Sequence, residues 1–272
     1  MSRSEYVLSG HPDGEIKRLI FESEMLRPIT GRMLSAVNVR PGMRVLDIGC
    51  GVGGMSRLAA DRVGENGFVL GIDRKEKAIE VASFLAGVSK LPNVAFRCCS
   101  LDDFEDDEGF DIVVGRCVFL FQKDAVSFLK RAAQFVRPGG YVAFHEFDNR
   151  RQFLSEPKVD LWDAVVREIL SRYREECPQY DIARRFVPTF SLAGLPVPQL
   201  CYEVPVCGGS APLLCTWASE MLRSLSSDPR RTRLEGGVIV DFDSLNIELQ
   251  RAISEERAQV EFLGQACAWT QL

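Results

Sequence analysis

Histidine is nearly missing from this sequence: 272 residues hold two, His11 and His145. An imidazole-rich metal centre is therefore excluded, and histidine acid–base chemistry is confined to these two side chains. Nine cysteines occur, at positions 50, 98, 99, 117, 177, 201, 207, 215 and 267, with no CxxC pair and no zinc-like spacing to histidine. They read as reduced thiols of a cytoplasmic protein, several of them inside strands. No apolar run is long enough to cross a bilayer. The first residues, MSRSEYVLSGHPDGE, lack an apolar signal core. A basic face is also lacking. The net charge is −5, and Arg150–Arg151 and Arg230–Arg231 are isolated pairs, so nucleic acid is a poor partner. There is no internal repeat and no low-complexity tract.

What is present is ordinary for a globular chain: 46% hydrophobic and 26% charged residues, enough to bury a core without staples. Strand-like apolar runs alternate with helical spacing through the first half of the sequence. Strands are expected at 43–48, 68–72, 94–98, 110–114 and 141–147, with helices at 55–63, 75–88 and 125–136. Arg137-Pro138-Gly139-Gly140 reads as a helix stop followed by a turn. Such alternation predicts right-handed crossovers and a mostly parallel sheet with helices on both faces, an α/β Rossmann-like fold of seven strands. Outside that core the pattern predicts a helix within 1–40, another at 161–173, a strand at 199–206, a helical stretch over 208–257 with a loop near 228–237, and a final strand at 259–269. The expected organisation is an N-terminal helical cap at 1–40, a core at 41–207, a helical insertion at 208–257 and the last core strand within 258–272.

The strongest local signal is Val45-Leu46-Asp47-Ile48-Gly49-Cys50-Gly51-Val52-Gly53-Gly54, a buried strand entering a glycine turn and then a helix. Glycines there permit left-handed torsions and close approach of a ligand, and a helix N-terminus offers free N–H groups. A glycine turn alone also fits dinucleotide enzymes. Here the spacing is Gly-x-Gly-x-Gly rather than Gly-x-Gly-x-x-Gly, although Gly54 supplies a glycine at the last position too. Asp47, two residues before the first glycine, is unexpected beside a diphosphate; it suits a zwitterionic ligand by holding an ammonium or by fixing the loop. The second signal is Asp73, at the end of Gly71-Ile72-Asp73. A carboxylate there can accept both hydroxyls of a ribose, or else cap the following helix.

These residues resemble the class I S-adenosylmethionine (SAM) dependent methyltransferase family, most of all its small-molecule branch of ubiquinone and menaquinone biosynthesis methyltransferases. The resemblance covers 43–148, where Phe110-Asp111-Ile112-Val113-Val114 and Arg137-Pro138-Gly139-Gly140 match the fourth strand and the turn before the fifth. It implies that SAM is the cofactor, that S-adenosylhomocysteine is its product and that no metal is used. By resemblance Gly49, Cys50, Gly51 and Gly53 line the methionine and ribose part. Asp73 and Arg74 lie at the ribose, and Arg116 follows the fourth strand beside the methionine part. The family usually carries an acid just after the third strand. Here Ser100 stands there, followed by Leu101 and Asp102, so either Ser100 or a shifted Asp102 meets the adenine. Tyr6 is the N-terminal aromatic that related enzymes place over the cofactor.

The acceptor side has no diagnostic motif. Methyl transfer needs little acid–base machinery, because orientation of the nucleophile supplies much of the rate. His145 and Glu146, at the end of the fifth strand, are the candidates for a base, and they point to opposite faces. His145, Glu146, Asp148 and Asn149 cannot all converge on one ion, so metal is not expected. Phe119 and Phe121, Trp217 and Met221 in the insertion, and His11 in a lid are candidates for an apolar acceptor. The function expected is methylation of oxygen, carbon or nitrogen on a small, largely apolar molecule, with a homodimer left open. The alternative is a SAM-fold protein that rearranges or binds a ligand without transfer. A nicotinamide oxidoreductase is disfavoured by the missing Tyr-x-x-x-Lys pair, and a protein or nucleic-acid methyltransferase by the missing Asn/Asp-Pro-Pro-Tyr motif.

Overall fold

The computed structural model describes residues 12–150 and 155–272, with the backbone alone for 12–15 and 17. Tyr6 and His11 lie outside the described residues. Seven strands form the main sheet: β1 (Arg44–Ile48), β2 (Phe68–Asp73), β3 (Val94–Cys98), β4 (Phe110–Arg116), β5 (Val136–Asp148), β6 (Gln199–Glu203) and β7 (Gly264–Gln271). Their order is β3-β2-β1-β4-β5-β7-β6. The first five strands run parallel, in a register that sets Asp47 beside Gly71 and Val114. β6 and β7 pair antiparallel. Leu272 bonds Gly139 and Gly140 while Gln265 meets His145, so β7 also runs against β5. The reversal between β2–β3 on one side of β1 and β4–β5 on the other places the end of β1 at a topological switch point, where open α/β sheets bind ligands.

The helices are α1 (Pro12–Ala36), α2 (Gly54–Val63), α3 (Glu76–Val88), α4 (Ala125–Ala133), α5 (Asp160–Glu176), α6 (Phe186–Leu192), α7 (Pro212–Ser224) and α8 (Phe242–Glu255). None among the described residues is long and apolar enough to cross a membrane. Alternation along the strands divides the core into two layers. Val45, Ile112, Val114, Ala143 and Cys267 pack on one face against Ile29, Met33 and Leu34 of α1, Val37 just after it, and Met55, Ala59, Ala60 and Val63 of α2. On the other face Phe119 meets Phe128, Phe144 and Phe186 at centroid distances of 4.9, 4.5 and 6.0 Å, each edge-on. α4 shows why a local sequence makes a helix. Asp124 caps it by accepting from the Val126 and Ser127 amides, and Ala125, Phe128, Leu129 and Ala132 bury one stripe.

The chain divides into two compact units. One comprises Ser23–Phe147, Asp181–Glu203 and Gln265–Leu272; the other comprises Met1–Glu22, Asp148–Tyr180 and Val204–Gly264. The boundaries expected at 40, 207 and 257 are not the ones along which contacts divide. α1 is shared at Glu22/Ser23, and 148–180 groups with the insertion. The first unit holds the sheet. The core of the second centres on Trp217, fully buried and edge-on to Phe262 at 4.6 Å, with Tyr173 donating its hydroxyl to the Met221 sulfur at 3.2 Å.

Three expectations about elements are corrected. The turn at 137–140 lies within β5: Phe110 faces Val136 but Ile112 faces Tyr141, so the extra residues loop out around Gly139 at φ 82°. The single strand expected at 259–269 is two, because Gln259–Glu261 pairs with Ser155–Glu156 and Val206–Cys207 before β7 begins. The loop expected near 228–237 holds a hairpin, Arg231–Arg233 with Ile239–Asp241.

Phe119 is the hub of its aromatic layer, and Phe119→Ala should cost about 3–5 kcal/mol. Denaturant unfolding of the purified variant measures this. A loss below about 1 kcal/mol would mean that the layer closes around the gap.

Candidate functional site

The site begins where β1 runs out. After Ile48 the chain turns through Gly49, Gly51 and Gly53, all with positive φ, before α2 starts at Gly54. Two of these positions require glycine for different reasons. At Gly53 (φ 72°) a Cβ would sit 2.7 Å from the Phe96 ring, so β3 packs directly on the turn. At Gly51 (φ 53°) a Cβ would meet nothing, so the backbone there faces open space. This is a surface a ligand can approach as closely as the main chain allows.

Asp73 holds the turn in place. Its Oδ2 accepts the Gly51 N–H at 2.9 Å and its Oδ1 accepts the Lys75 N–H at 2.9 Å. One carboxylate thus joins the β1 turn to the start of α3. Each oxygen keeps a further lone pair, and the residue is only half-buried. Cap and ligand acceptor are therefore compatible roles. Below the turn, Asp47 is fully buried. Its Oδ2 accepts the Ser56 hydroxyl at 2.5 Å and its Oδ1 has no partner. Burial raises its carboxyl to about 7, against the opposing pulls of the Ser56 bond and the Arg116 charge. Asp47 serves the turn from beneath. Cys50 is buried as well: its amide bonds the Ile72 carbonyl, and burial pushes its thiol up.

Beyond β3, the Cys99 amide bonds the Asp73 carbonyl at 3.0 Å. Ser100 donates its hydroxyl to Asp103 at 2.6 Å and accepts the Asp103 amide at 3.2 Å. Leu101 is buried, with its carbonyl accepting from Arg131, while Asp102 and Arg74 are exposed. Asp103 is thus tied to Ser100 by two hydrogen bonds within this loop.

Arg116 ends β4 and reaches α1, donating to the Thr30 hydroxyl at 3.1 Å. Its guanidinium also comes near Gly54, whose Cβ would lie 3.4 Å from it and only 1.6 Å from the Ser23 hydroxyl oxygen. Thr30 in turn meets His145 Nδ1 at 3.2 Å, and His145 Nε2 meets Gln265 Oε1 at 2.9 Å. Facing a carbonyl oxygen, Nε2 must carry the proton. Nδ1 then accepts from the Thr30 hydroxyl, and that hydroxyl accepts from Arg116. The imidazole is fully buried and both nitrogens are engaged. Burial and the Arg116 charge hold it neutral, lowering its pKa to about 3. Thr30 and Gln265 had no sequence signal, standing 115 and 120 residues from His145.

Glu146 points to the opposite face, as strand alternation requires. Its Oε1 accepts the Val118 and Phe119 amides at 2.7 and 2.8 Å, capping the 3-10 turn Phe119–Phe121. Its Oε2 is buried without a partner, and burial raises the carboxyl to about 8. At neutral pH Glu146 is mostly a neutral acid in a structural cap. Among the acceptor candidates, Phe119, Trp217 and Met221 are fully buried in packing contacts, while Phe121 is partly exposed. The 3-10 turn rotates Phe119 inward, which strand alternation does not anticipate. Among the described residues no group of acidic, cysteine or histidine side chains is arranged to hold a metal ion.

Similarity to known proteins agrees with this geometry. A family model described as a methyltransferase domain matches residues 40–193. The chain is 34% identical over 120 residues to nocamycin O-methyltransferase of Saccharothrix syringae, covering 44% of this chain and 43% of that protein. It is 35% identical over 115 residues to a ubiquinone biosynthesis O-methyltransferase of Bradyrhizobium diazoefficiens, covering 41% and 42%. These alignments span less than half the length of either relative. The YcgJ protein of Bacillus subtilis shares the fold, with a TM-score of 0.53 at 16% identity over 89% of this chain and 97% of that one.

Glu146 gives a pH signature. Its folded pKa, about 8, lies above the ordinary 4.5, so between those values the folded state holds a proton that the unfolded state has lost. Its contribution is complete below 4.5 and falls as pH rises toward 8, by at most about 1.4 kcal/mol per unit. Glu146→Gln keeps an oxygen for the two amides and removes this slope. Urea unfolding at pH 5 and pH 8 should show the variant gaining on the wild type as pH rises. Parallel pH profiles would mean that Glu146 is ionised in the folded protein.

Proposed function

This chain belongs to the methyltransferase-domain family, and we propose on that premise that it transfers a methyl group from SAM to a small, largely apolar acceptor. The observation that carries the reading is the joint geometry of the glycine turn and Asp73: an open main-chain surface at Gly51 beside a carboxylate with lone pairs to spare. In this reading Asp73 accepts the ribose hydroxyls. Gly49, Cys50, Gly51 and Gly53 form the floor under the methionine and ribose part, and Ser100, Leu101 and Asp102 border the adenine, with Arg74 at the rim. Asp47 and Arg116 support the floor, and the unpartnered Asp47 oxygen favours a positive charge above it. When bound, SAM supplies a methyl group already activated on a sulfonium. What the chain adds is orientation of the acceptor and exclusion of water.

We assign His145 and Glu146 to positioning rather than proton transfer, because both ring nitrogens of His145 are engaged and Glu146 caps the Val118 and Phe119 amides. Among the acceptor candidates, Phe121 is partly exposed, and we retain it. The names of the nocamycin and ubiquinone relatives support oxygen as the atom methylated. We read the protein as cytoplasmic, working on a free small molecule rather than nucleic acid, as a monomer or homodimer.

Titration calorimetry tests the cofactor. S-adenosylhomocysteine should bind and NAD(H) should not; tight NAD(H) binding without heat from S-adenosylhomocysteine contradicts the reading. Asp73→Ala removes charge-assisted hydrogen bonds worth about 1.5–3 kcal/mol, so affinity should fall about ten- to a hundredfold in a folded variant. Unchanged affinity would reduce Asp73 to a cap. Transfer itself is read as S-adenosylhomocysteine formed with a panel of hydroxylated apolar acceptors. Tight cofactor binding with no turnover on any acceptor would favour a protein that binds or rearranges its ligand without methyl transfer.

A further inference from the structure

Cys201 and Cys267 stand directly opposite each other on β6 and β7. Opposed residues of an antiparallel pair share a face, with α-carbons about 4.5–5.5 Å apart. A disulfide spans α-carbons about 4.4–6.8 Å apart, so the register sets the two cysteines at a separation that a disulfide can bridge. Both are free. Cys267 is buried and Cys201 partly exposed. The pairs on either side along this face are already fixed. Trp269 donates to Gln199 at 3.0 Å, and Glu203, opposite Gln265, is held by the Arg32 guanidinium. The Cys201 thiol donates to Glu203 Oε1 at 3.7 Å, so forming the bond requires that side chain to turn from Glu203 toward Cys267 while the strands stay in register.

We propose that Cys201 and Cys267 are a dithiol–disulfide site that clasps the root of the insertion. The chain between them contains all of Val204–Gly264, the insertion segment of the second unit. A bond there ties the strand from which the chain leaves the sheet to the strand by which it re-enters. Cross-linking the ends of a long segment restricts the unfolded chain most. The oxidant is a small-molecule disulfide of the glutathione class. The Cys201 thiolate attacks one of its sulfurs and releases one thiol, giving a mixed disulfide. The Cys267 thiolate then attacks the Cys201 sulfur and releases the second thiol. Two protein thiols and one small disulfide become one protein disulfide and two small thiols, which carry away both protons. Burial and the nearby Glu203 charge hold the Cys201 thiol above its ordinary range, so exchange is slow at neutral pH. Other thiols lack this arrangement. Cys98 and Cys99 are neighbours at the end of one strand, where successive side chains point apart. Cys207 adds to the upward shift of the Cys215 thiol, but one lies on a short strand and the other on α7, with no strand register between them.

The reduced full-length protein is incubated with oxidised glutathione, blocked with iodoacetamide, digested without reductant and mapped by mass spectrometry. The expected product is one linked peptide pair bearing Cys201 and Cys267, lighter by two hydrogens, reversed by dithiothreitol and absent from Cys201→Ser. Oxidised wild type should need more denaturant to unfold than reduced wild type, and Cys201→Ser should show no such shift. The proposal is overturned if Cys201 carries glutathione and goes no further, if the bond forms between Cys207 and Cys215 instead, or if both thiols are alkylated after Cys98 has been oxidised.

Discussion

The carboxylate of Asp73 bridges two backbone amides, Gly51 on the turn after β1 and Lys75 at the start of α3. Neighbouring parallel strands end at the same edge of a sheet, but their loops are free to diverge. A side chain that accepts from both loops removes that freedom. The glycines give the turn its torsions, Phe96 packs it from the side, and Ser56 and Asp47 support it from below. All of these depend on the turn staying against β2, where the Asp73 bridge and the bond from the Cys50 amide to the Ile72 carbonyl hold it. A hydrogen bond to a charged acceptor is also stronger than a neutral one, so the same residue that shapes the turn leaves a negative edge on its open side.

The interior beside this turn is organised by two buried titratable groups on adjacent positions of β5. His145 faces α1; burial and the Arg116 charge hold it neutral, and a directional chain from Arg116 through Thr30 to Gln265 fixes its tautomer. Glu146 faces the other way and caps the turn that carries Phe119. Their pH dependences have opposite signs. The histidine contribution is lost as pH falls from 6.5 through about 3, where the unfolded state gains a proton first. The glutamate contribution is lost as pH rises toward about 8.

The sheet, the glycine turn and Asp73 were legible in the sequence because each is a local pattern: strand, turn and helix within about a dozen residues, then a second strand ending in an acid. The functions of His145 and Glu146 were not. Their partners come from α1, β7 and the turn after β4, and nothing in the local sequence marks Thr30 or Gln265 as hydrogen-bonding core positions. Phe119 illustrates a different limit. Counting outward from a strand assigns it a direction, but a 3-10 turn resets the count and delivers the ring to the core. Trp217 and Met221 carry a helical spacing that serves core packing more often than a ligand box, and both are fully buried. Ser100 and Asp103 hold each other through two hydrogen bonds that only the folded loop brings together.

The central claim is that the Gly51 surface and the Asp73 carboxylate together receive the adenosine end of SAM. A crystal structure of the complex with S-adenosylhomocysteine tests it most directly. Both ribose hydroxyls should lie within hydrogen-bond distance of the Asp73 oxygens, with the amino-acid end over the Gly49–Gly53 turn and the Asp73 bonds to Gly51 and Lys75 retained. A ligand bound away from the turn, or bound there with its ribose turned from Asp73, would contradict the account.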